Sequence, residues 1–273
     1  MKNTLTQIQS FPAPLRIIFF LIVLVIFWLP VAIPVQLYLN EKPNFVSILV
    51  MGWLFILFFI CIKVIGEAIY QQSHPYQNLG LVRSSRNGKE LLQGLSLGLV
   101  LTFSLFILQG LFGWLNWQDN ALPLWRLIVE GSLTGLGVAF AEESVFRGWL
   151  LNELETDYSL NTALWASAII FAISHFLKPL PVMLETLPAF PGLLLLGLVL
   201  VWAKRRHQGR LGLAIGLHGG LVWGYYIVDV GQLITYTETV SPAITGIYGN
   251  PIAGVMGWLF LLGLALGLQT QKK

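Results

Sequence analysis

Residues Ala141–Leu150 read AEESVFRGWL, and they follow the apolar run RLIVEGSLTGLGVAF and lead into LNELE. The flanks make one long hydrophobic helix, and the central stretch sets two glutamates and an arginine inside it. Charged side chains at bilayer depth cost several kcal/mol each and persist where they have a partner or a task. Glu143 and Arg147 are four residues apart, so they share a helix face and can pair. Glu142 points about 100° away and has no such built-in partner. A carboxylate left unpaired in a low-dielectric setting is a strong proton acceptor, which suits a general base. The plainer alternative is an ion-pair cluster joining helices.

The composition around this stretch is that of a membrane protein. The chain is 56% hydrophobic and 11% charged, with a mean hydropathy of +0.73. Apolar runs long enough to span a bilayer recur along it. The net charge of +3 is no nucleic-acid footprint, because the basic residues gather at helix ends. A single cysteine, Cys61, excludes a disulfide framework and a multi-thiolate zinc site. The first apolar run is too long for a signal-peptide core and is expected to be retained.

The expected fold is all-α, a polytopic membrane protein of about eight transmembrane helices around an intramembrane polar site. The spans are read at 15–39, 45–66, 92–116, 126–153, 160–177, 190–204, 211–229 and 252–268. Pro30 and Pro34 predict a kink in the first. The proline-rich segment KPLPVMLETLPAFPG, after the fifth, is expected as a short re-entrant or surface piece. Three regions follow: 1–125 with helices 1–3 and a polar cytoplasmic loop, a core at 126–230, and 231–273 with the last helix and a tail. With the N-terminus in the cytoplasm, twelve Lys and Arg fall inside and only Lys42, Arg126 and Lys178 outside, intramembrane Arg147 apart. That bias predicts cytoplasmic N- and C-termini.

Ionisable groups inside three spans define the candidate site. Besides Glu142, Glu143 and Arg147, they are His175, four residues after Phe171, and His218, followed by Gly219 and Gly220. Two histidines and two glutamates on three helices are expected to converge, since lipid penalises each alone. Gly131, Gly135 and Gly137 before the glutamates, and Gly212, Gly216, Gly219 and Gly220 around His218, predict close packing of these two helices. Three chemistries suit such a set: hydrolysis by water activated at Glu142, a divalent metal such as zinc held by Glu142, His175 and His218, or a proton or ion pathway. Missing inverted repeats argue against a transporter. His74 and His207 read as surface residues, Lys204–Arg210 as a headgroup anchor, and Trp223, Tyr225 and Tyr226 as an aromatic belt. Glu130 and Asp229 read as solvated span ends.

The order EExxxR at Glu142–Arg147, FxxxH at Phe171–His175, then His218 resembles the CPBP family of intramembrane metalloproteases. These are type II CAAX prenyl endopeptidases with bacteriocin-processing and Abi-like relatives. The resemblance covers about Leu127–Val230. It implies an intramembrane endopeptidase with a membrane protein or peptide as substrate and the lipid bilayer as setting. It implies Glu142 as base assisted by His175, His218 at the oxyanion, and Glu143 and Arg147 in support. It also implies a bacterial inner membrane, with a thylakoid as the alternative. The family often has Asn four residues after its last histidine; here that position is Val222, which leaves a non-proteolytic scaffold or regulator as the rival.

Overall fold

The computed structural model describes residues 7–119 and 122–269. Lys2, Lys272 and Lys273, counted above as cytoplasmic, lie outside the described residues. The main helices are α1 (Ala13–Tyr38), α2 (Pro43–Ala68), α3 (Ser85–Leu111) and α4 (Leu124–Glu143), the last continuing through a π-helical turn (Ser144–Leu150) into α5 (Leu151–Asp157). Then come α6 (Leu160–Ser174), α7 (Leu180–Thr186), α8 (Phe190–Arg206), α9 (Gly212–Val230) and α10 (Val255–Gln269). The fold is all-α, and the protein is an integral membrane protein. Six helical stretches are long and apolar enough to cross a bilayer: 13–38, 43–68, 85–111, 124–157, 180–206 and 212–230.

Two of the eight expected spans are shorter than read. α6 and α10 have 15 residues each, or about 22 Å at the α-helical rise, less than a hydrocarbon core of about 30 Å. α6 stops at His175, and Pro179 precedes the next helix. The expected start of α10 is instead a 3₁₀ turn, Pro251–Ala253. The proline-rich segment is also corrected, because it is helical and extends α8 backwards. Pro181, Pro188 and Pro191 each fall in the first turn of a helical piece, where the missing N–H breaks no hydrogen bond. α1 contains Pro30 and Pro34 and remains one helix.

The chain forms two compact units. One joins the segment ending at Asn78 to Asn152–Tyr158; the other joins Leu79–Leu151 to the segment from Ser159 onward. In the first, α1 and α2 pack around Ala32, Val46 and Val50. Arg16, expected near a cytoplasmic end, is 5% exposed. Its guanidinium binds Glu153 at 2.9 Å and Asp157 at 3.3 Å.

The second unit is organised on α9. Leu211 N–H donates to the Gly80 carbonyl at 3.0 Å, and Gly212 N–H to Asn87 Oδ1 at 2.8 Å, which joins the starts of α3 and α9. At the other end a two-stranded antiparallel ladder, β1 (Leu115–Trp117) with β2 (Ile234–Tyr236), joins the segments that leave them. α3 and α9 therefore run parallel. Between them a Cβ on Gly94, Gly98, Gly216 or Gly220 would overlap the partner's backbone, so the two helices touch main chain to main chain. α4 meets α9 likewise: a Cβ on Gly135 would come within 2.6 Å of the Gly219 carbonyl oxygen. The expected packing of the two motif helices is therefore present, but Gly137 faces open space. The α3 contact and the ladder had no sequence signal. Burial, with Asp229 nearby, pushes the Tyr236 hydroxyl up to about 12.

Candidate active site

Three helices bring Glu142, Glu143, Arg147, His175 and His218 together. Glu143 and Arg147, both fully buried, form the expected ion pair at 2.9 Å. The Arg147 guanidinium also donates to the Gly197 carbonyl at 3.3 Å and lies 4.1 Å from the centroid of the Phe171 ring, within cation–π range. The Phe171 ring meets the imidazoles of His175 and His218 edge-on, at 4.7 and 6.2 Å. One aromatic side chain thus packs against the arginine and both histidines.

The Nδ1 atom of each histidine is committed. His175 Nδ1 is 2.8 Å from the Phe171 carbonyl oxygen. A carbonyl only accepts, so Nδ1 carries the hydrogen and Nε2 keeps its lone pair in the neutral ring. That bond is what the FxxxH spacing provides, since i and i−4 stack on one helix face. His218 Nδ1 is 2.9 Å from Glu143 Oε1, and the same reasoning leaves its Nε2 free when Glu143 is ionised. The two free Nε2 atoms turn to Glu142: His175 Nε2 is 3.8 Å and His218 Nε2 3.9 Å from Glu142 Oε2. That oxygen is buried and has no hydrogen-bond partner among the described residues.

The π turn shapes this cluster. Leu151 N–H donates to the Phe146 carbonyl, five residues back, rather than to that of Arg147. The Arg147 carbonyl released in this way accepts from Lys204 Nζ at 2.6 Å. Lys204 is 4% exposed, so it faces the protein interior and is not the headgroup anchor expected. π turns of this kind occur often at functional sites. His207 is corrected too: it lies 3.0 Å from Glu90, a carboxylate that also binds Arg210 at 2.6 Å. His74 is exposed. Glu130 is paired with Arg126 at 2.8 Å and accepts from Tyr226 at 3.0 Å. Asp229 accepts from Tyr225 at 3.3 Å. Trp223 and Tyr226 pack over Gly131.

Glu142, His175 and His218 line a cavity of about 240 Å³ whose other walls are mainly leucine and phenylalanine, with Val222, Tyr225 and Asn250. An apolar cavity with a few convergent polar groups has the form of a substrate site. The donor types suit zinc, because each imidazole has Nε2 free and Nδ1 held by an acceptor. The geometry does not: among the described residues no three His, Cys, Asp or Glu side chains close into a metal-binding group. Lys204 and Asn250 are members of this neighbourhood that sequence reasoning missed. Lys204 opens a basic run that reads as a topology signal, and Asn250 lies in a polar connection beyond the motif helices.

No curated protein and no solved structure matches the chain in comparison. Among protein families, residues 123–224 match the Rce1-like type II CAAX prenyl endopeptidases. That segment holds all three motifs, and over it the chain is similar to that family of endopeptidases.

Proposed function

We propose that the protein is an intramembrane endopeptidase that cuts a membrane-associated protein or peptide with water activated at Glu142. The observation that supports this most is the approach of both histidine Nε2 atoms to the unpartnered Glu142 Oε2, at 3.8 and 3.9 Å. One water molecule bridges such gaps with two ordinary hydrogen bonds. Donating its hydrogens to Glu142 and to one imidazole, it keeps a lone pair for the scissile carbonyl. Glu142 takes the proton as the oxygen–carbon bond forms, then passes it to the leaving amine as the carbon–nitrogen bond breaks. His175 positions the water. His218 enters the step as imidazolium, its Nδ1–H given to Glu143 and its Nε2–H, a proton taken up from bulk water before the substrate binds, donated to the oxyanion and kept throughout; the Glu143–Arg147 pair supports that charge. Residues 126–230 form the catalytic core, and both termini are cytoplasmic on the strength of the lysine and arginine bias.

The test compares the termini of all membrane proteins in cells carrying the wild-type protein or Glu142→Gln at equal abundance. Specific termini vanish in the variant if the proposal holds, and they name the substrates. Two matching sets of termini overturn it. Val222, apolar in the cavity wall, favours the rival scaffold, for which partners co-purify equally with both forms while the termini stay the same.

A further inference from the structure

The cavity presents six polar side chains: Thr102, Glu142, His175, His218, Tyr225 and Asn250. A peptide hydrolase needs a hydrogen-bond donor aimed at the carbonyl oxygen that gains charge in the transition state. Most of these groups have no free donor. The Thr102 hydroxyl donates to the carbonyls of Gly98 and Leu221, at 3.0 and 3.4 Å. The Tyr225 hydroxyl faces Asp229 at 3.3 Å and the Gly249 carbonyl at 3.4 Å. Both imidazole Nδ1 atoms are committed to acceptors, ionised Glu142 only accepts, and the Nε2–H of a protonated His218 is the one donor already assigned to the oxyanion.

Asn250 is different. Its Oδ1 accepts from Ile252 N–H at 3.2 Å. The backbone N–H is a donor, so the amide oxygen faces it and the NH₂ group takes the opposite side. No hydrogen bond engages that NH₂ group among the described residues. The backbone around it is held firmly: Asn250 N–H donates to Ile247 at 3.1 Å, and its carbonyl accepts from Ala253 at 2.9 Å. Gly192 of α8 and Gly257 of α10 leave no room for a Cβ against Ile252 and Pro251. A donor on so fixed a turn loses little on reorganisation, which electrostatic stabilisation requires.

We propose that Asn250 is a catalytic residue, its side-chain NH₂ donating to the scissile carbonyl oxygen and more strongly to the oxyanion. This inference rests on the endopeptidase reading above. No bond to Asn250 forms or breaks; the proton moves from water to Glu142 and on to the leaving amine.

The test uses the full chain in its own membrane and the termini that depend on Glu142. Asn250→Asp keeps the Oδ1 that caps the turn and replaces the NH₂ donor. It is expected to slow the appearance of those termini after pulse labelling by about 10²–10³-fold. The proteins that carry the termini are then cross-linked to Glu142→Gln and to Glu142→Gln/Asn250→Asp, and both are expected to capture them nearly equally, since the lost interaction is far stronger in the transition state than in the bound substrate. Cleavage at the wild-type rate, or capture that falls in step with cleavage, overturns the assignment of Asn250 alone. If no terminus depends on Glu142, the endopeptidase reading fails and this inference falls with it.

Discussion

His218 gives its Nδ1 to Glu143, at 2.9 Å, and not to the neighbouring Glu142. The two adjacent glutamates therefore have separate surroundings. One is inside an arginine–histidine network with no exposure, and the other is at the cavity wall with a free oxygen. Glu143→Gln keeps the shape but removes the charge that supports an imidazolium at His218. Cleavage of Glu142-dependent termini should fall on the order of 10²–10⁴-fold, measured as their rate of appearance, with the protein still in the membrane.

Arg147→Met removes one member of a fully buried pair and strands Glu143. Breaking such a pair from one side costs about 3–5 kcal/mol. A marked drop in the thermal unfolding midpoint of the detergent-solubilised protein is expected. Part of it should return in Arg147→Met/Glu143→Met, where no uncompensated charge remains. A double variant no more stable than the single one counts against this account.

Lys204→Met leaves the Arg147 carbonyl without the donor it gains from the π turn. An unsatisfied buried carbonyl costs about 1–3 kcal/mol, and the turn that sets Glu143 and Arg147 loses its outside support. Slower cleavage with unchanged membrane insertion is expected, whereas Arg205→Met, one position along, should cleave at nearly the wild-type rate. Equal effects from the two would return Lys204 to a topology signal.

Chelation provides a separate check. The donors around Glu142 Oε2 stand 3.8 and 3.9 Å away and close no three-ligand group among the described residues. Treating isolated membranes with 1,10-phenanthroline should leave the Glu142-dependent cleavage rate unchanged. Loss of cleavage that zinc restores would mean that these side chains draw together around a metal in the working enzyme.

The helices were legible because lipid enforces long apolar runs, and the site was legible because charge inside such runs is conspicuous. Glu142, Glu143, Arg147, His175 and His218 each stood out for that reason. Lys204 did not, because a lysine at the end of a helix reads the same whether it points to headgroups or turns inward to a carbonyl. The π turn is set by which carbonyl Leu151 N–H chooses, a matter of tertiary packing that SVFRGWL does not encode in any period. Asn250 stands 32 residues after His218 in a polar connection, and only the folded turn brings it to the cavity.

The main-chain contact of α9 with α3 and α4 bears on how tolerance to substitution should be read. A saturating survey would find intolerance at Gly94, Gly98, Gly135, Gly216 and Gly220, where no side chain fits, while Gly137 would accept alanine, with up to about 1 kcal/mol of added helix stability. Two of these intolerant positions flank His218 within two residues. A map of lost activity would then draw a stripe along 94–98 and 216–220 that resembles a second reaction centre and performs no chemistry. Separating the stripe from the true site takes abundance measured beside activity: substitutions in the stripe remove the protein, and substitutions at Glu142 leave it in place and silent.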